Sequence, residues 1–308
     1  MNGLAELRVV LARFFAGTGD LARAEQEATQ AAALLESLSH ESNGATYLGE
    51  LATAYHQLGY VQARRAEDDA ALHSFEQAVS RSRQQLASRP DDLNEIARLS
   101  RIEADYGAQL AAVGKARDSL AVLREAQAGL ERLLKRDPLN VRHRLNLVRV
   151  FNAQGSTTYS LGDYAGAVGS FSQATSTAEA LLVAGPDDHA NNVAAMISHQ
   201  ALGLSLIRVG QTAAGERRLR EAIAEGESMI KAEPDDGWSL NEVAVTRLEL
   251  GDTLLAGGAW NAEGCRQVGE GLRLWKTLAT RAEIPAETAG KREQYEREWA
   301  ACQRHGPS

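Results

Sequence analysis

The sequence predicts an all-α protein, an α-solenoid in which antiparallel helix pairs stack side by side. Two sets of residues that repeat every 48 positions predict it. The glycines are Gly59, Gly107, Gly155, Gly203 and Gly251, and the prolines are Pro90, Pro138, Pro186 and Pro234. A fixed interval of this length is typical of a stack of similar supersecondary units. Between these marks the chain is rich in Ala, Leu, Glu, Arg and Gln, which are good helix formers.

The composition narrows the class of function. The 308 residues carry a net charge of −8, which argues against electrostatic binding of nucleic acid. No segment has the roughly 18 consecutive apolar residues of a membrane span, and the amphipathic N-terminus does not match a signal peptide. Two cysteines, Cys265 and Cys302, are too few for a disulfide framework, although adjacent helices can bring them together. We expect buried thiols in a reducing compartment, the cytoplasm.

The N-terminal segment 1–41 is predicted to be a partial repeat, with a short helix over 4–16 and a longer one over 20–38. Apolar residues crowd the short helix: Leu4, Leu7, Val9, Val10, Leu11, Phe14 and Phe15. They are too many for one narrow stripe. A terminal helix of a repeat stack usually has a polar outer face, so we expect a second copy of the chain or a preceding domain to cover this one.

Five full repeats are predicted to follow, with the bounds 42–89, 90–137, 138–185, 186–233 and 234–282. In four of them a proline ends the preceding helix, and the Asp or Asn two residues later caps the next, as at Pro90 and Asp92. The first helix of each repeat, helix A, runs to a second glycine, and helix B returns to the next proline. The second glycines are Gly114, Gly162, Gly210 and Gly258.

The segment 283–308 is predicted to be a C-terminal cap. A charged helix over 286–303 places Tyr295, Trp299 and Cys302 on one apolar stripe. The residues expected to fray are Pro307 and Ser308.

The third full repeat has the most complete internal signature. It places glycines, aromatic residues and alanines at fixed offsets: Gly155, Gly162, Tyr164, Ala167, Phe171 and Ala174. This pattern resembles that of the tetratricopeptide (TPR) repeat, and the resemblance covers nearly the whole chain. The alternative fold is an array of HEAT or armadillo repeats, whose periods reach about 47 residues. The paired glycines and the Tyr164–Ala167 spacing favour TPR.

The repeats are longer than the usual TPR, which takes about 34 residues. The added residues make about two further turns in each helix. After these turns the buried face points within about 20° of its original direction, so it still faces the neighbouring helices. The resemblance therefore implies a TPR-like fold with long helices, about 13 in all, that stack into a right-handed superhelix. The uniform repeats also resemble the C-terminal TPR extensions of bacterial serine/threonine kinases, but this chain has no kinase motif. Any such activity is expected upstream.

The TPR resemblance implies that the A helices line a concave groove. Carrying the family's lining positions onto this chain gives the candidates His56, Tyr60, Arg64, Arg101, Arg149, Asn152, Ser156, Tyr159, Gln200, Leu204 and Arg208. The arginines imply a protein or peptide partner with acidic character, because a guanidinium group can bind a carboxylate bidentately. The Lys and Asn of carboxylate-clamp TPRs are missing from the matching positions, so binding of chaperone tails is not supported.

No sequence pattern indicates catalysis. A phosphate-binding loop, a nucleophile elbow and a His-Glu-x-x-His motif are all missing from the sequence. His189 and His199 follow a helix start but lie too far apart for one metal ion, so we expect a helix cap and a groove histidine. We therefore expect no catalytic residue, no metal and no cofactor.

These observations favour a non-catalytic protein-interaction scaffold, and the resemblance to kinase extensions implies a segment of a larger signalling protein. The alternative is a regulatory module that senses a peptide or small molecule and closes around it. An enzyme built on the helical array is the third hypothesis, and it would need carboxylates or histidines that converge in the groove.

Overall fold

The computed structural model describes residues 2–41, 47–256, 260–280 and 286–305. Within these ranges the chain forms thirteen α-helices in a TPR-like α-solenoid, and consecutive helices pack against one another within each of two compact units. The remaining expectations, namely the repeat bounds at 42 and 282, Gly258, and fraying at Pro307 and Ser308, lie outside the described residues.

The chain divides into two compact units, Met1–Leu161 and Gly162–Ser308. The N-terminal unit contains α1 (Asn2–Gly17), α2 (Leu21–Glu41), α3 (Leu48–Arg64), α4 (Asp68–Ser88), α5 (Leu93–Ala112), α6 (Ala116–Arg136) and α7 (Val141–Ser160). The C-terminal unit contains α8 (Tyr164–Ala184), α9 (His189–Arg208), α10 (Thr212–Ala232), α11 (Gly237–Leu255), α12 (Ala262–Ala279) and α13 (Ala286–His305). From α1 to α12, odd-numbered helices are A helices and even-numbered ones are B helices, and α13 is the C-terminal helix that follows the last pair. None of the described helices is both long enough and apolar enough to span a bilayer.

The predicted helix caps are confirmed. Asp92 accepts hydrogen bonds from the backbone N–H groups of Asn94 and Glu95, at 2.9 and 3.4 Å. The equivalent cap residues of α7, α9 and α11 also accept backbone hydrogen bonds, and they are Asn140, Asp188 and Asp236. Such a cap satisfies N–H groups that have no partner within the helix.

The first glycine set allows A and B helices to approach closely, as the spacing predicts. A methyl group built on Gly107 would lie 2.6 Å from Leu123 Cγ, and one on Gly251 would lie 2.6 Å from Val268 Cγ2. Both distances are below van der Waals contact, so any larger residue would push the two helices apart.

The second glycine set supplies a left-handed backbone at the A–B turn. The φ angles are +79° at Gly114, +81° at Gly162 and +83° at Gly210. Ala66, one period before Gly114, has a φ of +58°. Because a left-handed conformation places Cβ near the following carbonyl oxygen, Ala66 is strained where the glycines are not.

The first helix has an exposed apolar face, as expected. Leu4, Leu7, Val10 and Phe14 are 48%, 53%, 57% and 61% exposed. The opposite face packs into the core through Ala5, which is fully buried. That a second copy or a preceding domain covers the exposed face stays a prediction.

The expectation of two reduced thiols is wrong. Cys265 on α12 and Cys302 on α13 form a disulfide whose Cα atoms lie 5.6 Å apart. The predicted stripe brings the two together, because Tyr295 packs edge-on against Trp275 with ring centroids 6.1 Å apart. Disulfides persist mainly in oxidising compartments, so cysteine usage no longer supports the cytoplasmic location.

Candidate functional site

The A helices of the N-terminal unit lie side by side. Helix α3 contacts α1 and α5, and α5 contacts α7, so these four helices form one surface. We call it the A-helix face of the N-terminal unit. Three of the sequence candidates, His56, Arg101 and Arg149, meet on this surface around a carboxylate that sequence reasoning did not select, Asp105.

Asp105 joins three A helices. Its Oδ2 lies 2.7 Å from Nε2 of His56 on α3. Its Oδ1 accepts a hydrogen bond of 2.7 Å from Nη2 of Arg149 on α7. Burial alone would raise the pKa of Asp105, but the hydrogen bond from His56 and the charges of His56, Arg149 and Arg101 lower it below its ordinary value. The carboxylate is therefore ionised over the whole neutral range.

Arg101 differs from its neighbours. It is partly buried, and within the described residues it has no hydrogen bond or ion pair. Burial lowers the pKa of its guanidinium group, and the positive charges of Arg13, Arg98 and Arg149 lower it further, while Asp105 opposes them. Because like charges repel, this arrangement destabilises the free protein.

The other N-terminal candidates are divided between solvent and internal contacts. Tyr60 is 40% exposed and Ser156 is also exposed, whereas Asn152 and Tyr159 are partly buried. Arg64 donates a 2.5 Å hydrogen bond to the carbonyl oxygen of Ala16, at the end of α1. The Arg64 side chain therefore ties α3 to α1.

The candidates of the C-terminal unit have partners within that unit. Gln200 on α9 donates a 3.3 Å hydrogen bond to Glu249 on α11. Leu204 packs against the hydrophobic core of the unit. The Arg208 guanidinium lies over the Tyr164 ring, 4.6 Å from its centroid, and donates a 2.7 Å hydrogen bond to the hydroxyl oxygen.

Glu249, on α11, is a partly buried carboxylate of the C-terminal unit. Burial raises its pKa to about 7, the charges of Glu242 and Asp252 add to the rise, and Lys291 and Gln200 oppose it. The same acidic surroundings raise the pKa of Tyr295, for which burial is the main cause. This surface is rich in carboxylates, in contrast with the arginines around Asp105.

The expectation that His199 lines the groove is wrong. His199 is 4% exposed, and its ring lies among side chains of the B helices α8 and α10. Nδ1 lies 3.0 Å from Glu225 Oε2, and Nε2 lies 3.1 Å from Glu179 Oε1. Burial would lower the pKa of His199, but these two carboxylates and Glu221 raise it above its ordinary value. His189 lies exposed at the start of α9.

Sequence reasoning missed Arg13, Arg98, Asp105 and Glu249. The family positions carried onto the chain do not include them. One signal was available, because Arg101 and Arg149 lie one 48-residue period apart and Asp105 follows Arg101 by one helical turn. In the described part of the chain, no group of three or more His, Cys, Asp or Glu side chains is placed to hold a metal ion.

No protein-family model and no curated protein sequence matches the chain. Solved structures do resemble it. The similarity to Nro1, a nuclear import adaptor of S. pombe, has a TM-score of 0.58 at 11% identity, over 96% of this chain and 93% of that one. BtubC (BKLC) from P. vanneervenii gives a TM-score of 0.57 at 16% identity, over 86% of this chain and 94% of that one. At these identities the likeness shows the fold, a TPR-like helical array.

Proposed function

We propose that this protein is a non-catalytic scaffold that binds a segment of a partner protein on its A-helix faces. The observation that carries the proposal is that A helices of the N-terminal unit keep Tyr60, Ser156 and Arg149 exposed, the last of them paired with Asp105. Arg101, which has no hydrogen bond or ion pair within the described residues, lies close to the same carboxylate. Aromatic and arginine side chains are the residues that most often dominate protein interfaces. The import-adaptor role of Nro1, which has the same fold, supports the same class of function.

In-cell photo-crosslinking tests this proposal. A photoreactive amino acid replaces Tyr60 or Ser156 on A helices, or Gln84 or Arg124 on B helices as matched exposed controls. The expected result is a crosslink to the same partner protein from both A-helix positions and from neither B-helix position. Crosslinks from the B-helix positions alone, or from none of the four, would contradict the proposal.

A regulatory module that senses a peptide or a small molecule is the second proposal. It is favoured by a cavity of about 210 Å³ on the N-terminal unit, lined by residues of α1, α2, α3 and α5. Small-angle scattering distinguishes the two proposals, because a sensor that closes around its ligand loses radius of gyration on binding. A scaffold that only displays its A-helix face keeps the same radius.

A further inference from the structure

We propose that Arg101, together with Arg13, Arg98 and Arg149, forms a binding site for an oxyanion, a carboxylate or phosphoryl group carried by a segment of the partner protein. The site lies on the A-helix face of the N-terminal unit, and the inference therefore rests on the proposed scaffold function. It goes beyond that function by naming the chemical group that is bound and the side chain at its centre.

The first argument is the difference between Arg101 and the arginines beside it. Arg149 donates to Asp105 at 2.7 Å, and Arg98 pairs with Glu95 at 2.7 Å. Arg101 and Arg13 have no hydrogen bond or ion pair within the described residues. A guanidinium group has five N–H donors in a fixed fork, so Arg101 presents unused donors at a place that is only partly open to water.

The second argument is electrostatic. Arg13 comes from α1, Arg98 and Arg101 from α5, and Arg149 from α7, and the three others all act on Arg101. Asp105 opposes part of this repulsion. Residues whose pKa is shifted by burial together with specific charges are found at functional sites more often than elsewhere. An oxyanion that accepts from Arg101 would reverse the repulsion.

The third argument is space for the ligand. Arg13 and Arg98 line the cavity of about 210 Å³, whose wall is otherwise largely apolar: Ala5, Val9, Val10 and Leu35. Thr53 and two carboxylates, Glu6 and Glu50, complete the lining. A peptide segment can therefore place an apolar side chain in the cavity while its oxyanion faces the arginines.

Arginine suits both sources of the anion. The planar guanidinium fork matches the two oxygens of a carboxylate or of a phosphoryl group, and both pairs form charge-assisted hydrogen bonds. A phosphoserine has a charge of about −1.5 to −2 at neutral pH, so it gains more from three neighbouring guanidinium groups than a glutamate does. The test therefore includes both groups.

The test is fluorescence anisotropy on the full chain with three labelled hexapeptides: hexaglutamate, alternating phosphoserine–glycine, and hexaglutamine. We expect the two anionic peptides to bind and hexaglutamine not to bind. Arg101→Gln should weaken anion binding about tenfold, the size of one good charge-assisted contact. Arg124→Gln, an exposed arginine on α6, makes the same charge change and should leave the affinity unchanged.

Arg101→Lys keeps the positive charge but removes the planar guanidinium group, so this variant should lose part of the affinity for the anionic peptides. Arg101 has no hydrogen bond or ion pair within the described residues, and the repulsion by three arginines offsets its attraction to Asp105. Arg101→Gln should therefore change the melting temperature little, and anionic peptide should raise the melting temperature of the natural chain only. Equal affinity for the natural chain and Arg101→Gln, or an equal loss in Arg124→Gln, would overturn the oxyanion site. Crosslinking from Tyr60 and Ser156 would still support the scaffold in that case, so the two failures are distinguishable.

Discussion

The same contact occurs in both units with different side chains. His56 meets Asp105 in the N-terminal unit, and Gln200 meets Glu249 in the C-terminal unit, each pair 49 residues apart. The two carboxylates occupy one register position, yet the pKa of Asp105 is lowered and that of Glu249 is raised to about 7. Both are buried enough for burial to be the largest cause, and burial acts in the same direction on both.

The neighbours explain the opposite outcomes. Asp105 has three basic side chains around it, His56, Arg101 and Arg149. Glu249 has one cation, Lys291, and the amide of Gln200 against the two carboxylates of Glu242 and Asp252. The position equivalent to Arg101 in the C-terminal unit is Val245. The fold therefore fixes where a carboxylate lies, and the local charges decide whether the surface around it attracts anions or repels them.

The largest expected effect comes from the disulfide, which occurs in the C-terminal unit. Cys265 and Cys302 are separated by 37 residues, and a crosslink over that distance restricts the unfolded chain. We expect Cys302→Ser to lower the free energy of unfolding of the C-terminal unit by about 3 kcal/mol and to speed hydrogen exchange in α13. Unchanged exchange in α13 relative to the natural chain would show that packing alone holds this helix. Helix α3 is the internal control.

The next effect tests Asp105. Asp105→Asn leaves His56 and Arg149 without their carboxylate, which should cost about 3 kcal/mol at pH 7. Since the folded pKa is lowered, the carboxylate stabilises the fold above its unfolded pKa, and this contribution is lost as pH falls through the folded pKa. Urea unfolding should show the full difference between variant and natural chain at pH 7, and this difference should shrink as pH falls through the folded pKa. A loss that does not shrink at any acid pH would mean that the packing, not the charge, was changed.

Glu249→Gln should act in the opposite direction. The folded pKa of Glu249 is raised from 4.5 to about 7, so its contribution to stability is present below pH 4.5 and is lost as pH rises to 7. Above pH 7 the natural chain holds a buried, poorly compensated charge. We expect Glu249→Gln to stabilise the protein by about 1–2 kcal/mol at pH 8 and to have little effect at pH 4.5. Destabilisation at pH 8 would contradict the acidic surroundings described for this residue.

The smallest effect concerns the A–B turns. Ala66→Gly should stabilise the N-terminal unit by about 1 kcal/mol, because glycine adopts a positive φ without strain. Gly210→Ala is the matched reverse change in the C-terminal unit and should destabilise it by a similar amount. Thermal unfolding measures both, and a destabilising Ala66→Gly would show that Ala66 is not strained.

The sequence predicts the elements of this fold that depend on local chemistry. Pro90 with Asp92, and the glycines at Gly107 and Gly114, mark a cap, a close approach and a turn, and each needs only a residue and its neighbours. The positive φ of Ala66 could not be predicted from its residue type, because no glycine occurs in that turn. The 48-residue period does indicate it, since Ala66 lies one period before Gly114.

The site was harder to predict because it depends on contacts between helices. The sequence places His199 on an A helix but does not show which side of α9 it occupies. In the structure it lies on the side that packs against the B helices, where it contacts Glu225 and Glu179. Cys265 and Cys302 meet only because α13 docks on α12 through Trp275 and Tyr295. Arg13 joins Arg101 from a helix some ninety residues earlier in the sequence, and only the packing of A helices brings them together.

The measurement that tests the central claim most directly is crosslinking with a photoreactive anionic peptide. A hexaglutamate peptide that carries one benzoylphenylalanine is irradiated with the full chain, and the modified residues are identified by mass spectrometry. The account predicts crosslinks on α1, α3, α5 and α7 that disappear in Arg101→Gln and persist in Arg124→Gln. Crosslinks concentrated on α9 and α11, or on the B helices, would contradict it.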